Sequence, residues 1–139
     1  MSYAAATALQ SAVYQHLRGD PTLSALIGDA IFDAMPVDAP GGVFVSLGPE
    51  EVRDAGDATG AGSRHDFIVS VLSGTEGGAG FATVKAVAAA VSEALEDGSV
   101  TLERGRLAAL WFLRAKARRV ENGAARRVDL TFRARIDLG

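Results

Sequence analysis

Between Arg127 and Ile136 the side chains alternate without a break. Val128, Leu130, Phe132, Ala134 and Ile136 are apolar, and Arg127, Asp129, Thr131, Arg133 and Arg135 between them are polar. A helix would scatter this pattern around its circumference. A strand sends successive side chains to opposite faces, so period two makes one apolar face and one wet face. Residues 107–119 carry the same period, and Asn122-Gly123 lies between the two runs, the dipeptide that a tight hairpin turn favours. A C-terminal hairpin is therefore predicted, with Arg114, Lys116, Arg118, Arg133 and Arg135 on its outer face. Strict alternation along the first arm would also turn Phe112 outward. A sheet with one apolar face needs a second layer to cover it.

Two segments can supply that layer. Leu9, Val13 and Leu17 recur at i, i+4 and i+8, which predicts a helix over about residues 3–18. Val84, Val87, Ala88, Val91 and Leu95 mark one face of a second helix over residues 81–96, while Lys85, Ser92, Glu93 and Glu96 mark its wet side. Asp20 followed by Pro21 and closed by Gly28 adds a short helix between the first helix and the sheet. Leu9, Val13, Val84, Val87, Val91, Val128, Leu130 and Phe132 are the predicted core.

Ile31 and Phe32 can begin a short strand, and VFVSL and FIVSVLS read as two longer ones. Between these lies GPEEVRDAGDATGAGSRHD, far longer than the usual connection of about 4–6 residues. Residues 49–64 are read as a long hairpin arm, mobile until it meets a neighbour. The expected fold is one α+β domain spanning 1–139. It has a four- or five-stranded antiparallel or mixed sheet with two main helices on one face.

Charge is distributed unevenly. Residues 1–102 hold four basic against thirteen acidic side chains, and residues 103–139 hold ten against four. Complementary halves suit head-to-tail contacts, an acidic partner or nucleic acid. There is no cysteine, so neither a disulfide nor a thiolate metal site is available. The first residues lack the basic leader and long apolar run of a signal peptide or membrane span.

Chemical motifs fail on detail. The run SGTEGGAG sits where a phosphate loop would, but Phe81 and Ala82 follow it in place of the Lys and Ser or Thr that a Walker loop requires. Glu50, Glu51, Asp54 and Asp57 lack the spacing of a calcium loop. His16 and His65 stand on different elements, read as a helix-surface and a strand-start residue, and neither has a partner at a triad's spacing. No catalytic, metal-binding or cofactor-binding residue is assigned. A nucleic-acid-binding module working through the basic hairpin is the alternative that charge alone allows.

The order of segments resembles a family. LQSAVYQHLRGDPTLSALIGDAIFDAMP, then VFVSLG, a Gly/Asp-rich insertion, SRHDFIVSVLS, an amphipathic helix and a final strand pair are similar to the tail terminator (tail-completion) proteins of long-tailed phages. The likeness is greatest to those of gene transfer agents. The resemblance implies a structural, non-enzymatic virion protein: a hexameric ring at the head-tail junction, assembled in the bacterial cytoplasm. Its partners would be copies of itself, the major tail tube protein and a head completion or stopper protein, with no membrane. DNA would pass through unread. Glu50, Glu51, Val52, Arg53 and Asp54, with Arg114, Lys116, Arg118, Arg133 and Arg135, are the expected assembly interface.

Overall fold

The computed structural model describes residues 3–38, 40–58, 60–74, 80–120 and 125–139. In chain order the elements are α1 (Ala6–Arg18), α2 (Pro21–Ile27), β1 (Ile31–Phe32), β2 (Phe44–Asp54), β3 (Gly62–Leu72), α3 (Phe81–Glu96), β4 (Arg106–Val120) and β5 (Ala125–Asp137). The fold is α+β, with one five-stranded mixed sheet in the order β1-β2-β3-β5-β4. Only the β1–β2 pair is parallel; every other neighbour is antiparallel.

The helices form where the periodicity predicts. Asp20 caps α2 by accepting a hydrogen bond from the Leu23 amide at 3.0 Å, and Pro21 takes the first turn, where no amide donor is needed. Leu9, Val13 and Leu17 of α1 and Val84, Val87, Val91 and Leu95 of α3 are all buried. They meet Val69 and Val71 of β3 and Val128, Leu130 and Phe132 of β5 in one core. Every predicted core residue is there. Phe132 is its largest fully buried side chain, with Phe67 stacked at 5.7 Å and Phe112 edge-on at 5.9 Å.

That last contact corrects the expected outward Phe112. In the ladder Phe112 stands opposite Phe132 and Arg114 opposite Thr131, with a register shift between them. One extra residue in β4 returns Phe112 to the core side and leaves Trp111, beside Arg133, on the open side.

The hairpin arm is also corrected. Glu50 through Asp54 pair with Phe67 through Ser63, and residues 62–67 pair on their other side with β5. β3 is thus an interior strand over its whole length, which leaves only residues 55–61 to connect it to β2. Gly- and acid-rich composition read as a loop, yet the backbone hydrogen bonds of two flanking strands hold this segment in the sheet. The residual connection is itself tied down, because the Ala61 amide donates to Gly139 and the Leu138 amide to Ala61. The Asn122-Gly123 turn and residues 75–79 of the glycine-rich run lie outside the described residues.

Candidate assembly surface

Residues at odd positions of β3 and even positions of β5 face the helices, so the reverse parity defines the open face. Among the described residues no helix covers that face. Reading across the register, it carries Glu51 and Arg53 from β2, Arg64 and Asp66 from β3 and Arg127, Asp129, Arg133, Arg135 and Asp137 from β5. β4 adds Arg106, Arg114, Lys116 and Arg118. The sequence indicated the hairpin's part of this surface, Arg127 included, and named Arg53 as an interface residue; only the register brings in Arg64 and sets Arg53 on the same face.

The acids on this face are held by arginines of the same face. Arg133 grips Asp66 through Nε to Oδ1 at 2.7 Å and Nη2 to Oδ2 at 2.9 Å. These bonds hold the Asp66 carboxyl below its ordinary range. Burial would push the Asp129 carboxyl up, but hydrogen bonds from Ser70 at 2.7 Å and Arg127 at 2.8 Å outweigh it, and the net shift is downward. Arg106 pairs with Asp137, and Arg53 with Glu51 at 2.8 Å.

Both edges of the sheet lie open. β1 pairs with β2 only at Val45 and Ser46, so Leu47 to Asp54 have β3 alone as strand partner among the described residues. That stretch carries Glu50, Glu51 and Asp54 against Arg53. At the opposite side β4 pairs with β5 alone; it bears Arg106, Arg114, Lys116, Arg118 and Arg119 and no acid. Fifteen residues long, β4 presents a row of unpaired backbone groups that proteins ordinarily blunt or cover. Its lysine, arginines and two register shifts are partial protection. Trp111 and Phe112 remain 37% exposed.

The tertiary structure also builds a constellation that sequence spacing did not reveal. His65, expected at a strand start, is fully buried. Its Nε2 shares a 2.8 Å hydrogen bond with Ser63 Oγ, and its Nδ1 faces Glu50 Oε2 at 3.7 Å. The three residues have the order of a hydrolase triad, but Ser63 is itself fully buried and no substrate could reach its hydroxyl. The Glu50 distance is too long for a hydrogen bond. Burial lowers the His65 pKa against the opposing pull of Glu50, which favours the neutral ring. A hollow of about 290 Å³ between α1 and the sheet is lined by Tyr3, Leu9, Val13, Leu47, Glu50 and Phe67, among others, and neither Ser63 nor His65 opens into it.

His16, expected on a helix surface, instead joins two helices: its Nε2 donates to the Ala94 carbonyl at 2.7 Å. Among the described residues no cluster of three His, Asp or Glu could hold a metal ion, and no helix is long and apolar enough to cross a membrane.

With this geometry in hand, comparison with known proteins is specific. The family model of the tail completion protein gp17 matches residues 11–137. No curated protein matches the chain. Among solved structures, a chain from the virion of a native gene transfer agent (GTA) particle is similar at 60% sequence identity and a TM-score of 0.87. The match covers 98% of this chain and 99% of that one. A family match over nearly the full length, with the same fold in a virion chain, shows that this chain belongs to the gp17 tail completion protein family.

Proposed function

We propose that the protein is a structural component of a phage or gene transfer agent particle, located at the head-tail junction. There it forms a ring that terminates the tail tube and joins the tail to the head. The similar virion chain supports a place in the particle, and the family supports a role in completing the tail. One structural observation supports the ring: among the described residues the sheet has two uncovered edges on opposite sides, one acid-rich and one wholly basic.

When two different surfaces of one subunit complement each other, the contact is heterologous. It repeats from copy to copy until the rotation closes a ring. Strand addition would join the backbones of β2 and β4, and opposite charge would set their orientation. Glu50, Glu51, Val52, Arg53 and Asp54 form one side of this seam, and Arg114, Lys116 and Arg118 the other. Arg133 and Arg135 stand behind it on β5. Six copies are the closure implied by the family resemblance. The major tail tube protein would bind one end of the ring and a head completion or stopper protein the other. The reading assigns the chain no catalysis and no cofactor, and places assembly in the bacterial cytoplasm.

Sedimentation and negative-stain imaging of the purified protein, alone and mixed with its tail tube protein, test this reading. Rings that cap tubes are the expected result. Reversing Arg114, Lys116 and Arg118 to Glu should weaken assembly, and reversing Glu50 and Glu51 to Lys in the same chain should restore part of it. Rings and tails of wild-type yield and salt dependence from the triple reversal alone would refute this seam.

A further inference from the structure

The register sets three arginines abreast on the open face. Arg53 of β2 is the partner of Arg64 of β3, and Arg64 is the partner of Arg135 of β5. Neighbouring strands lie only about 4.8 Å apart, and like charges directly opposite one another destabilise a sheet. The row has little internal relief. Arg53 is bonded to Glu51, and Arg135 Nη2 donates to the Ala55 carbonyl at 2.9 Å. Arg64 Nε is buried and has no hydrogen-bond acceptor in the structure. Arg64 itself is only partly buried, so the outer part of its guanidinium, set between two other cations, is open to an anion.

The row belongs to a larger field. Among the described residues the open face carries nine basic side chains against four acidic ones, and the acids are engaged within the face. The rest of the chain holds five basic against thirteen acidic side chains. Arg114, Lys116 and Arg118 stand at alternate positions of β4, about 7 Å apart along the strand.

We propose that this face binds the phosphate backbone of duplex DNA without reading its sequence, with Arg64 and its two flanking arginines as the main phosphate contact. A regular lattice of cations suits a polymer carrying one charge per roughly 1.7 Å of axis. Among the described residues Trp111 is the only aromatic ring in the charged rows of the face, too few for the stacked platform of a single-strand binder. No helix rises from it to enter a groove and read base edges.

The test is fluorescence anisotropy with two 24-base-pair duplexes of unrelated sequence, a 24-nucleotide single strand and poly-glutamate. Each is titrated from low to physiological salt, and the assembly state of every sample is checked by sedimentation. Both duplexes should bind alike, more tightly than poly-glutamate, with affinity falling steeply as salt rises. The Arg64→Gln/Arg135→Gln variant should lose at least about tenfold in affinity, and its log–log salt slope should shrink by about two, one per phosphate contact. Arg114→Gln/Lys116→Gln, exposed but also on the proposed seam, should act in the same direction when compared with wild type at the same assembly state. Arg104→Gln, outside the sheet, should bind as wild type. Absence of salt-dependent duplex binding, equal binding of poly-glutamate, or wild-type binding by both double variants would overturn the proposal. Because assembly is measured on the same samples, a ring that forms without binding DNA separates this failure from failure of the assembly reading.

Discussion

Asp66 and Arg133 are direct partners across the β3–β5 ladder and form a two-pronged pair at 2.7 and 2.9 Å, in the middle of a face that no helix covers. The pair fixes the orientation of the Arg133 guanidinium and removes Asp66 from the charge that the face offers to a partner. Arg133, grouped by its sequence position with the other cations of the hairpin, is thus held by a two-pronged carboxylate pair. The assembly seam and the phosphate contact are accordingly assigned to its neighbours.

The same pair sets an acid limit on stability. Because the folded pKa of Asp66 lies below its unfolded value of about 3.9, its contribution is present above that value and is lost as pH falls through the folded pKa. Thermal melts between pH 5 and 2.5 should show the wild type losing stability faster than Asp66→Asn. Parallel curves would mean that the pair contributes nothing to folding.

His65 acts in a different window. Its folded pKa is lowered, so below about pH 6.5 the unfolded chain takes up a proton that the folded chain refuses. Stability should therefore decline as pH falls from 6.5 toward the folded value, before the carboxylates titrate. In His65→Gln that decline should vanish, whatever the variant's stability at neutral pH. Histidine NMR should find the His65 ring titrating below the ordinary value of about 6.5; a ring titrating above it would contradict the buried geometry.

Core substitutions test the layer arrangement. Val91 is fully buried on α3, so Val91→Asp forces a charge into apolar contact at a cost of several kcal/mol and should leave no cooperative melt. Phe132→Ala should cost about 3–5 kcal/mol in urea unfolding, because it empties the point where Phe67 and Phe112 converge. A cooperatively folded Val91→Asp would show that α3 packs by another face.

Gly74 follows β3 where two backbones meet. Its amide donates to Gly42 at 3.0 Å, and a Cβ there would overlap the Gly41 and Pro40 carbonyls. Gly74→Ala should lower stability by about 1–3 kcal/mol through overpacking. Gly42→Ala, at the other end of that hydrogen bond with open space where its Cβ would stand, is the matched control and should change little.

By itself the sequence determined the helices and the inward side of α1, α3 and β5. Period two from Val128 to Ile136 and the apolar stripes of α1 and α3 are set by local backbone geometry, and the structure keeps them. The basic character of the C-terminal strands was equally legible, since it depends only on which residues alternate. Tertiary structure alone decided how the strands lie beside one another. It made β3 interior and β4 an edge, paired β1 parallel to β2, and drew residues 50–54 and 62–64 into the ladder despite their loop-like composition. One extra residue in β4 turned Phe112 inward. The same lateral pairing buried His65 against Ser63 and set Arg53, Arg64 and Arg135 side by side. The physical reason is range: side-chain period records each residue's own backbone, whereas strand order and register arise from hydrogen bonds and packing between segments far apart in the chain.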